Sequence, residues 1–482
     1  MWSNTLKKVL FMAGGLCFVG GVHAQYLRTS YFIEGSSARL QLNPALQPTR
    51  GFVNVPVLNC FVGASSNVLG ITDIIKMLDS GQDVFPNDDL YNRLKDYTRF
   101  NVRANTDILS FGWYKGKGFW TASVRLRTDV SSSIPKTMFE YLRNISSLGV
   151  NSRSTGIASR AATFQRNISD MEFDITSFTE LGVGYSRPIN DKLTVGGRFN
   201  LLLGLSHTDV EVDNFSLNVE IPDDISQAYS YATSKSHVKT SMKGGGLTFS
   251  DVNDGSGNTL RQVDGYNFDM GGFGIAGTGV GIDLGATYKV MDNLTVSASL
   301  LDLGFIRWRS GVTTVASSDE NAKVEINENN YLNYLSRDFM DLKRFNMFED
   351  KNAVAAYTTK LSSTFLAAGE YTLMDDKLSL GAMYSVYFVQ PKTLNELTFS
   401  ATIHPKSWCD AALSYSPIQA GGKSFGMALK LGPVFFGTDY VYFGNNTSTA
   451  NFYLLKTVDI RSPKTGISVH FSYSLPMAMQ IY

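Results

Sequence analysis

The sequence predicts an all-β chain: a transmembrane antiparallel β-barrel of about 14 strands, within a range of roughly 12 to 16, with an N-terminal plug and a few short helices. Three observations lead there. A strand-turn-strand phrase with two unlike faces recurs along the chain. Beyond the first 24 residues no run of about 18 apolar residues occurs, so helical membrane spans are not expected. The alternation is cleanest near the C-terminus, from Gly466 to Leu475.

The phrase is most legible from Gly279 to Trp308. Val280, Ile282, Leu284, Ala286, Tyr288 and Val290 fall on one side, and Gly279, Gly281, Asp283, Gly285, Thr287 and Lys289 on the other. That period of two is a strand with two faces. Met291-Asp292-Asn293 reverses the chain, because Asp and Asn tolerate turn angles and bond their own backbone. After Leu300 the phase flips, with Leu301, Leu303 and Phe305 apolar, which predicts a bulge or the strand's exit from its sheet. Lipid outside and a polar lumen inside account for one apolar face and one of Gly, Ser, Thr and occasional charge. A soluble sandwich or a filled soluble barrel is the alternative for this hairpin taken alone.

Residues 1–24 read as a secretory leader: Lys7 and Lys8, an apolar stretch from Val9 to Val22, and Val22-His23-Ala24 before Gln25. The leader holds two of the 43 basic residues and none of the 43 acidic ones, so the rest carries a formal charge of −2. That balance argues against nucleic acid as a partner. Cys60 and Cys409 remain, far apart, with no disulfide framework visible, and Cys409 belongs to an apolar face with Ala411, Leu413 and Tyr415.

Residues 25–49 have little periodicity and contain Asn43-Pro44-Ala45; residues 50–482 are expected to form the barrel. A first strand over 50–62 is confined to an edge or bulge by Pro56. Helical spacing is expected over 69–78, and a second short helix near 88–97. Strands follow at 107–114 and 119–130, where Trp120, Ala122, Val124 and Leu126 point out, and Arg125, Arg127 and Asp129 point in. At 178–187 Glu180 is inward, and after a turn at 188–191 so is Arg198. From 355 onward strands crowd together, ending at Gly466–Leu475. Long excursions at 131–172, 207–270 and 308–354 oppose turns of a few residues, which places the short turns in the periplasm and the long loops outside.

Chemistry is sparse. His207, His237, His404 and His470 are the histidines left after the leader, and no spacing unites a nucleophile, base and acid. No enzyme activity, cofactor or metal is expected; clustered His and Cys ligands are absent. Asp251 to Gly257 departs from a calcium loop in its glycine and in Gln262, and reads as a turn. The informative residues are the inward charges Arg125, Arg127, Asp129, Glu180, Arg198, Asp283, Glu370, Asp410 and Lys430. They form either a polar conduit or a salt-bridge network that holds plug and wall, and mixed signs on one face favour the second.

The phrases at 281–288, 294–299 and 302–308, with Asn43-Pro44-Ala45-Leu46 and 185–205, resemble a family of uncharacterised outer-membrane barrels from Bacteroidota. More distantly, the early Asn-Pro-Ala is similar to the FadL-like group, which includes long-chain fatty-acid channels and the PorV-type secretion component. That likeness implies an N-terminal hatch inside a 14-stranded barrel in the Gram-negative outer membrane. It implies passive uptake of small hydrophobic compounds, or alternatively a scaffold or shuttle for exported or surface proteins. The partners expected are outer-membrane lipid and either a hydrophobic small molecule or such proteins, with no ligand-binding residue assigned.

Overall fold

The computed structural model describes residues 28–54, 60–68, 88–147, 167–220, 229–253, 257–268, 272, 274–327, 330–336, 341–389, 393–406, 408–419, 422–432, 434–441 and 449–460. The expected helix at 69–78 and strand at 466–475 lie outside these. A short 3-10 turn, Arg28–Phe32, and one helical turn, Arg39–Leu42, precede the strands.

The strands run β1 (Gly51–Asn54), β2 (Cys60–Ser66), β3 (Tyr97–Lys115), β4 (Gly118–Pro135), β5 (Asn167–Pro188), β6 (Leu193–Glu220), β7 (Tyr229–Met242), β8 (Gly245–Asn253) and β9 (Thr259–Phe268). They continue with β10 (Gly277–Met291), β11 (Leu294–Trp308), β12 (Thr313–Ser317), β13 (Val324–Glu325), β14 (Phe348–Glu349), β15 (Tyr357–Lys360) and β16 (Thr364–Leu373). The last are β17 (Leu378–Tyr387), β18 (Leu394–Lys406), β19 (Cys409–Gln419), β20 (Gly422–Leu431), β21 (Val434–Val441) and β22 (Thr449–Ile460).

Neighbouring wall strands pair antiparallel in chain order, except that β6 passes directly to β10 and β11 to β15 and β16. β22 pairs back onto β1 and β2, which share one position beside β3. Counting β1 with β2 and β15 with β16, the described ladder makes a circuit of fourteen positions. The protein is an antiparallel transmembrane β-barrel with an apolar outer face. Val183, Phe199, Ile282, Leu284, Phe305, Leu380, Phe399 and Leu413 are exposed, which is favourable only against hydrocarbon.

At one end the strands close through tight turns such as Met374-Asp375-Asp376, whose three residues all take positive φ. At the other end the long excursions fold into a cap. Where the sequence reading expects long loops, they carry strands: β4 runs on to Pro135, β5 begins at Asn167, and β7, β8, β9, β12, β13 and β14 lie within them. β6 pairs with β10 up to Gly204, but from Ser206 onward it pairs with β7, so its upper half belongs to the cap.

A burial switch on β5 marks this border. Register with β4 is unbroken, so odd-numbered residues keep one face throughout. Val183 and Tyr185 on that face are exposed, whereas Met171, Phe173 and Ile175 are buried in the cap core with Val210, Val212 and Phe215 of β6. The helix Lys136–Ser147 begins right after Pro135, and Met138, Tyr141 and Leu142, spaced for one helix face, enter the same core.

Inside that core the Tyr141 hydroxyl donates to the Tyr334 carbonyl, and burial pushes its pKa up to about 12. Replacing it, as Tyr141→Phe, leaves that carbonyl unpartnered by the phenol and should cost the cap about 1 kcal/mol. Hydrogen–deuterium exchange should quicken in residues 136–143 and leave the amides of β16 to β18 unchanged.

Candidate functional site

The site is the lumen, and the segment from Arg28 to Pro48 stands inside it. Its second half sits on a row of small residues across four adjacent strands: Ser186, Gly196, Gly285 and Ser299, in direct register with one another. Gln47 donates to the Ser186 hydroxyl (3.1 Å), and the Ser299 hydroxyl donates to the Leu42 carbonyl (2.6 Å). Between them the two glycines leave room for Asn43-Pro44. A Cβ on Gly196 would lie 2.5 Å from the Pro44 carbonyl oxygen, and one on Gly285 2.0 Å from Asn43 Oδ1.

Asn43, Pro44 and Ala45 thus have a geometric role. Asn43 Oδ1 accepts from the Ala45 backbone N–H (2.9 Å), an Asx turn. Its amide donates to the Tyr31 hydroxyl and to the wall carbonyls of Ala298 (3.2 Å) and Ala286 (3.4 Å). The first half of the segment is held elsewhere. The Thr29 hydroxyl donates to Asp439 (2.5 Å), Thr29 and Ser414 share a hydrogen bond (2.7 Å), and Arg28 pairs with Glu396.

Of the nine inward charges, the structure joins Arg125, Arg127, Asp129, Glu180, Arg198 and Asp283 in one buried network. Arg125 donates to Glu180 Oε1 (2.5 Å) and Arg127 to Oε2 (3.1 Å). Arg127 also makes a two-pronged contact with Asp302 (2.5 and 3.1 Å), reaching from β4 to β11. Asp283 accepts from Arg198 (3.1 Å), Asn200 (3.1 Å) and the Asp302 backbone N–H (2.7 Å). Arg103 donates to Asp129 (2.7 Å), Arg127 stands 3.7 Å from it, and Arg198 reaches the N-terminal segment at the Leu40 carbonyl. Charges this deeply buried are tolerable only when paired. Asp410 stands apart with Lys430 (3.8 Å) and His404 (2.9 Å), and Glu370 makes no ion pair with either group among the described residues.

Sequence reasoning missed Arg103, Asp107 and Asp302. Asp302 sits in the bulge that the phase flip after Leu300 announces: its φ is +58°, and the β10–β11 register shifts between Ile282 and Leu284. The bulge turns Leu301 and Asp302 both inward, while Leu303 and Phe305 return to the outside. Arg103 follows from β3 beginning at Tyr97 rather than at 107, and Asp107, first residue of the expected strand, faces inward beside the register shift between Asp107 and Leu109.

Above the network, at the border with the cap, acids face one another directly across β5 and β6: Asp174 opposite Asp209, and Glu172 opposite Glu211. Such like-charge pairs are unfavourable. His207 stands between Asp174 (2.8 Å) and the Tyr357 hydroxyl (2.7 Å). Burial first, then Asp174 and Glu211, push the Asp209 carboxyl up to about 6.

Two tests follow. Gly196→Ala drives a Cβ into three backbone atoms of Pro44 and Ala45; it should unseat the N-terminal segment and expose Arg39, now buried, to trypsin, whereas Gly369→Ala, with open space around it, should not. For Asp209, folding raises the pKa from 3.8 to about 6, so the protonated form favours the folded mouth. That contribution is complete below pH 3.8 and is lost as pH rises through about 6. Amide exchange in residues 206–217, corrected for intrinsic rates, should be faster at neutral pH than near pH 4, and Asp209→Asn should shrink the difference.

No curated protein matches the chain by sequence. Among solved structures it is similar to the toluene transporter TbuX of Ralstonia pickettii, at 10% identity and TM-score 0.41, covering 91% of this chain and 95% of that one. It is also similar to the toluene transporter TodX of P. putida (9%, 0.35, 88% and 92%) and to the translocator domain of the autotransporter NalP from Neisseria meningitidis (8%, 0.30, 85% and 88%). Residues 44–439 match DUF5723, a family of unknown function, and the chain belongs to that family.

Proposed function

We propose that this barrel is a passive conduit for small hydrophobic compounds in the Gram-negative outer membrane, with residues 25–49 as its hatch and residues 1–24 as a cleaved leader. The observation that carries the reading is apolar surface inside the lumen. Leu301, Leu366, Ala368 and Met383 form an inner strip, and the plug covers it with Tyr31, Phe32, Leu42 and Leu46. Nearer the cap, Phe178, Leu202, Ile306 and Trp308 make a second apolar patch. A pore for hydrophilic solutes has no use for such surface, whereas an apolar molecule gains about 25 cal/mol per Å² of contact on leaving water. A shifting hatch exchanges its own apolar side chains for those of the cargo. No catalytic step enters this reading.

The folded cap, with its own hydrophobic core, favours a second reading: a scaffold that binds exported or surface proteins. One experiment separates the two. Thr29 and Ser414 have hydroxyls 2.7 Å apart, so Thr29→Cys with Ser414→Cys, in a background lacking Cys60 and Cys409, should form a disulfide that pins the hatch. Whole cells should then take up a fluorescent aromatic hydrocarbon slowly when oxidised and at the normal rate after reduction. Uptake indifferent to the lock would overturn the conduit and leave the scaffold.

A further inference from the structure

The luminal face of β3 carries an amide that no described residue uses. Asn105 is 3% exposed, and neither its Nδ2 nor its Oδ1 has a hydrogen-bond partner among the described residues. It lies directly opposite Arg127 on β4, the residue that bridges to Glu180 and Asp302, so it shares the luminal face. Two residues along the same face is Arg103, whose buried Nη1 also lacks a hydrogen-bond partner among the described residues. Arg103 is fixed from two sides. Its Nε donates to Asp129 on the neighbouring strand, and its guanidinium lies 4.5 Å from the ring centre of Tyr387. Tyr387 ends β17, seven positions from β3 in the circuit of fourteen, so this cation–π contact crosses the bore.

We infer that Asn105 and Arg103 bind the head of a neutral, hydrogen-bonding amphiphile, such as a carboxamide or an alcohol, within the lumen. The inference rests on the conduit reading and names its substrate class. The pair offers donors from both residues and an acceptor from Asn105 Oδ1, a set that a carboxamide or hydroxyl satisfies and a hydrocarbon does not. Charge decides between neutral and anionic heads. Around the site Arg103, Arg125, Arg127 and Arg198 face Asp107, Asp129, Glu180, Asp283 and Asp302, and each guanidinium already has a carboxylate within 3.1 Å. With five acids to four bases, a carboxylate head would add a second uncompensated negative charge to a buried layer. A tail has apolar surface at hand, because Arg127 lies over Phe178, the near edge of the patch that includes Leu202, Ile306 and Trp308.

An amide buried without partners costs stability unless a ligand uses it, and this gives the test two readouts. With the full protein in lipid nanodiscs, binding of radiolabelled dodecanamide is measured above that of empty nanodiscs, with unlabelled dodecanamide, dodecanol, dodecane and dodecanoate as competitors. Dodecanamide and dodecanol should compete at concentrations about tenfold lower than dodecane or dodecanoate. Asn105→Leu should erase that preference and raise the thermal midpoint. Arg103→Met should weaken dodecanamide binding, and alkyl binding of equal strength for amide and alkane in the wild type would overturn the head site while leaving the conduit standing. No saturable binding of any competitor would remove both. A lower midpoint for Asn105→Leu would show that the amide serves the fold, and a raised midpoint without head preference would show that it only meets water; either overturns the inference.

Discussion

Hydrocarbon on the outside of the wall is the constraint from which the other features follow. Exterior positions between the turns and the cap are mainly apolar or small, with Arg307 and Lys360 exposed close to the cap, so most charges on these strands take the inner face. There the charges are cut off from bulk water and must satisfy one another. The chain from Arg103 through Asp129, Arg127 and Glu180 to Arg125, with Asp302 and Asp283 joined from β10 and β11, is the outcome. Removing one partner of such a network leaves a bare buried charge, at a cost on the order of 3–5 kcal/mol. The network therefore fixes which strands face one another across the bore as firmly as the backbone ladder fixes which lie side by side.

The same constraint explains why the wall was legible in the sequence and the cap was not. Alternation is forced where one face meets lipid and the other a polar lumen, as in Val280 to Val290. In the cap that pressure ends: Met171, Phe173 and Ile175 continue the outer face of β5, but they are covered by protein, and the intervening Glu172 and Asp174 read like loop residues. The strands there are set by tertiary packing of β7, β12, β14 and β9, a non-local matter that local periodicity does not carry. The first strands suffered a milder form of this. Residues 97–106 alternate Arg99, Asn101, Arg103 and Asn105 with Phe100, Val102 and Ala104, a period of two that carries β3 upstream of Asp107, where long polar side chains alternate with only three apolar ones.

Asp302 shows a different limit. The phase flip after Leu300 locates the irregularity in the sequence, yet it does not say which residue absorbs the extra length. The structure assigns it to Asp302, one of the few non-glycine residues with left-handed backbone among those described. An aspartate tolerates that conformation better than a branched residue would, and the bulge turns a carboxylate toward Arg127 from four positions away around the wall. Asn43-Pro44-Ala45 is the converse case: conspicuous as a motif, it acquires meaning only from Gly196 and Gly285, whose missing side chains make its berth.

The way the N-terminal segment is fastened has a mechanical consequence. Arg28 and Thr29 are tied to β18, β19 and β21, whereas Asn43 to Gln47 are tied to β5, β6, β10 and β11. Between them Tyr31 bonds Ser297 on β11, Ser37 bonds Asn54 on β1 and Gln41 bonds Asp107 on β3. A change in the roundness of the cross-section therefore loads fastenings on many strands together, and the segment acts as an internal brace for the cylinder.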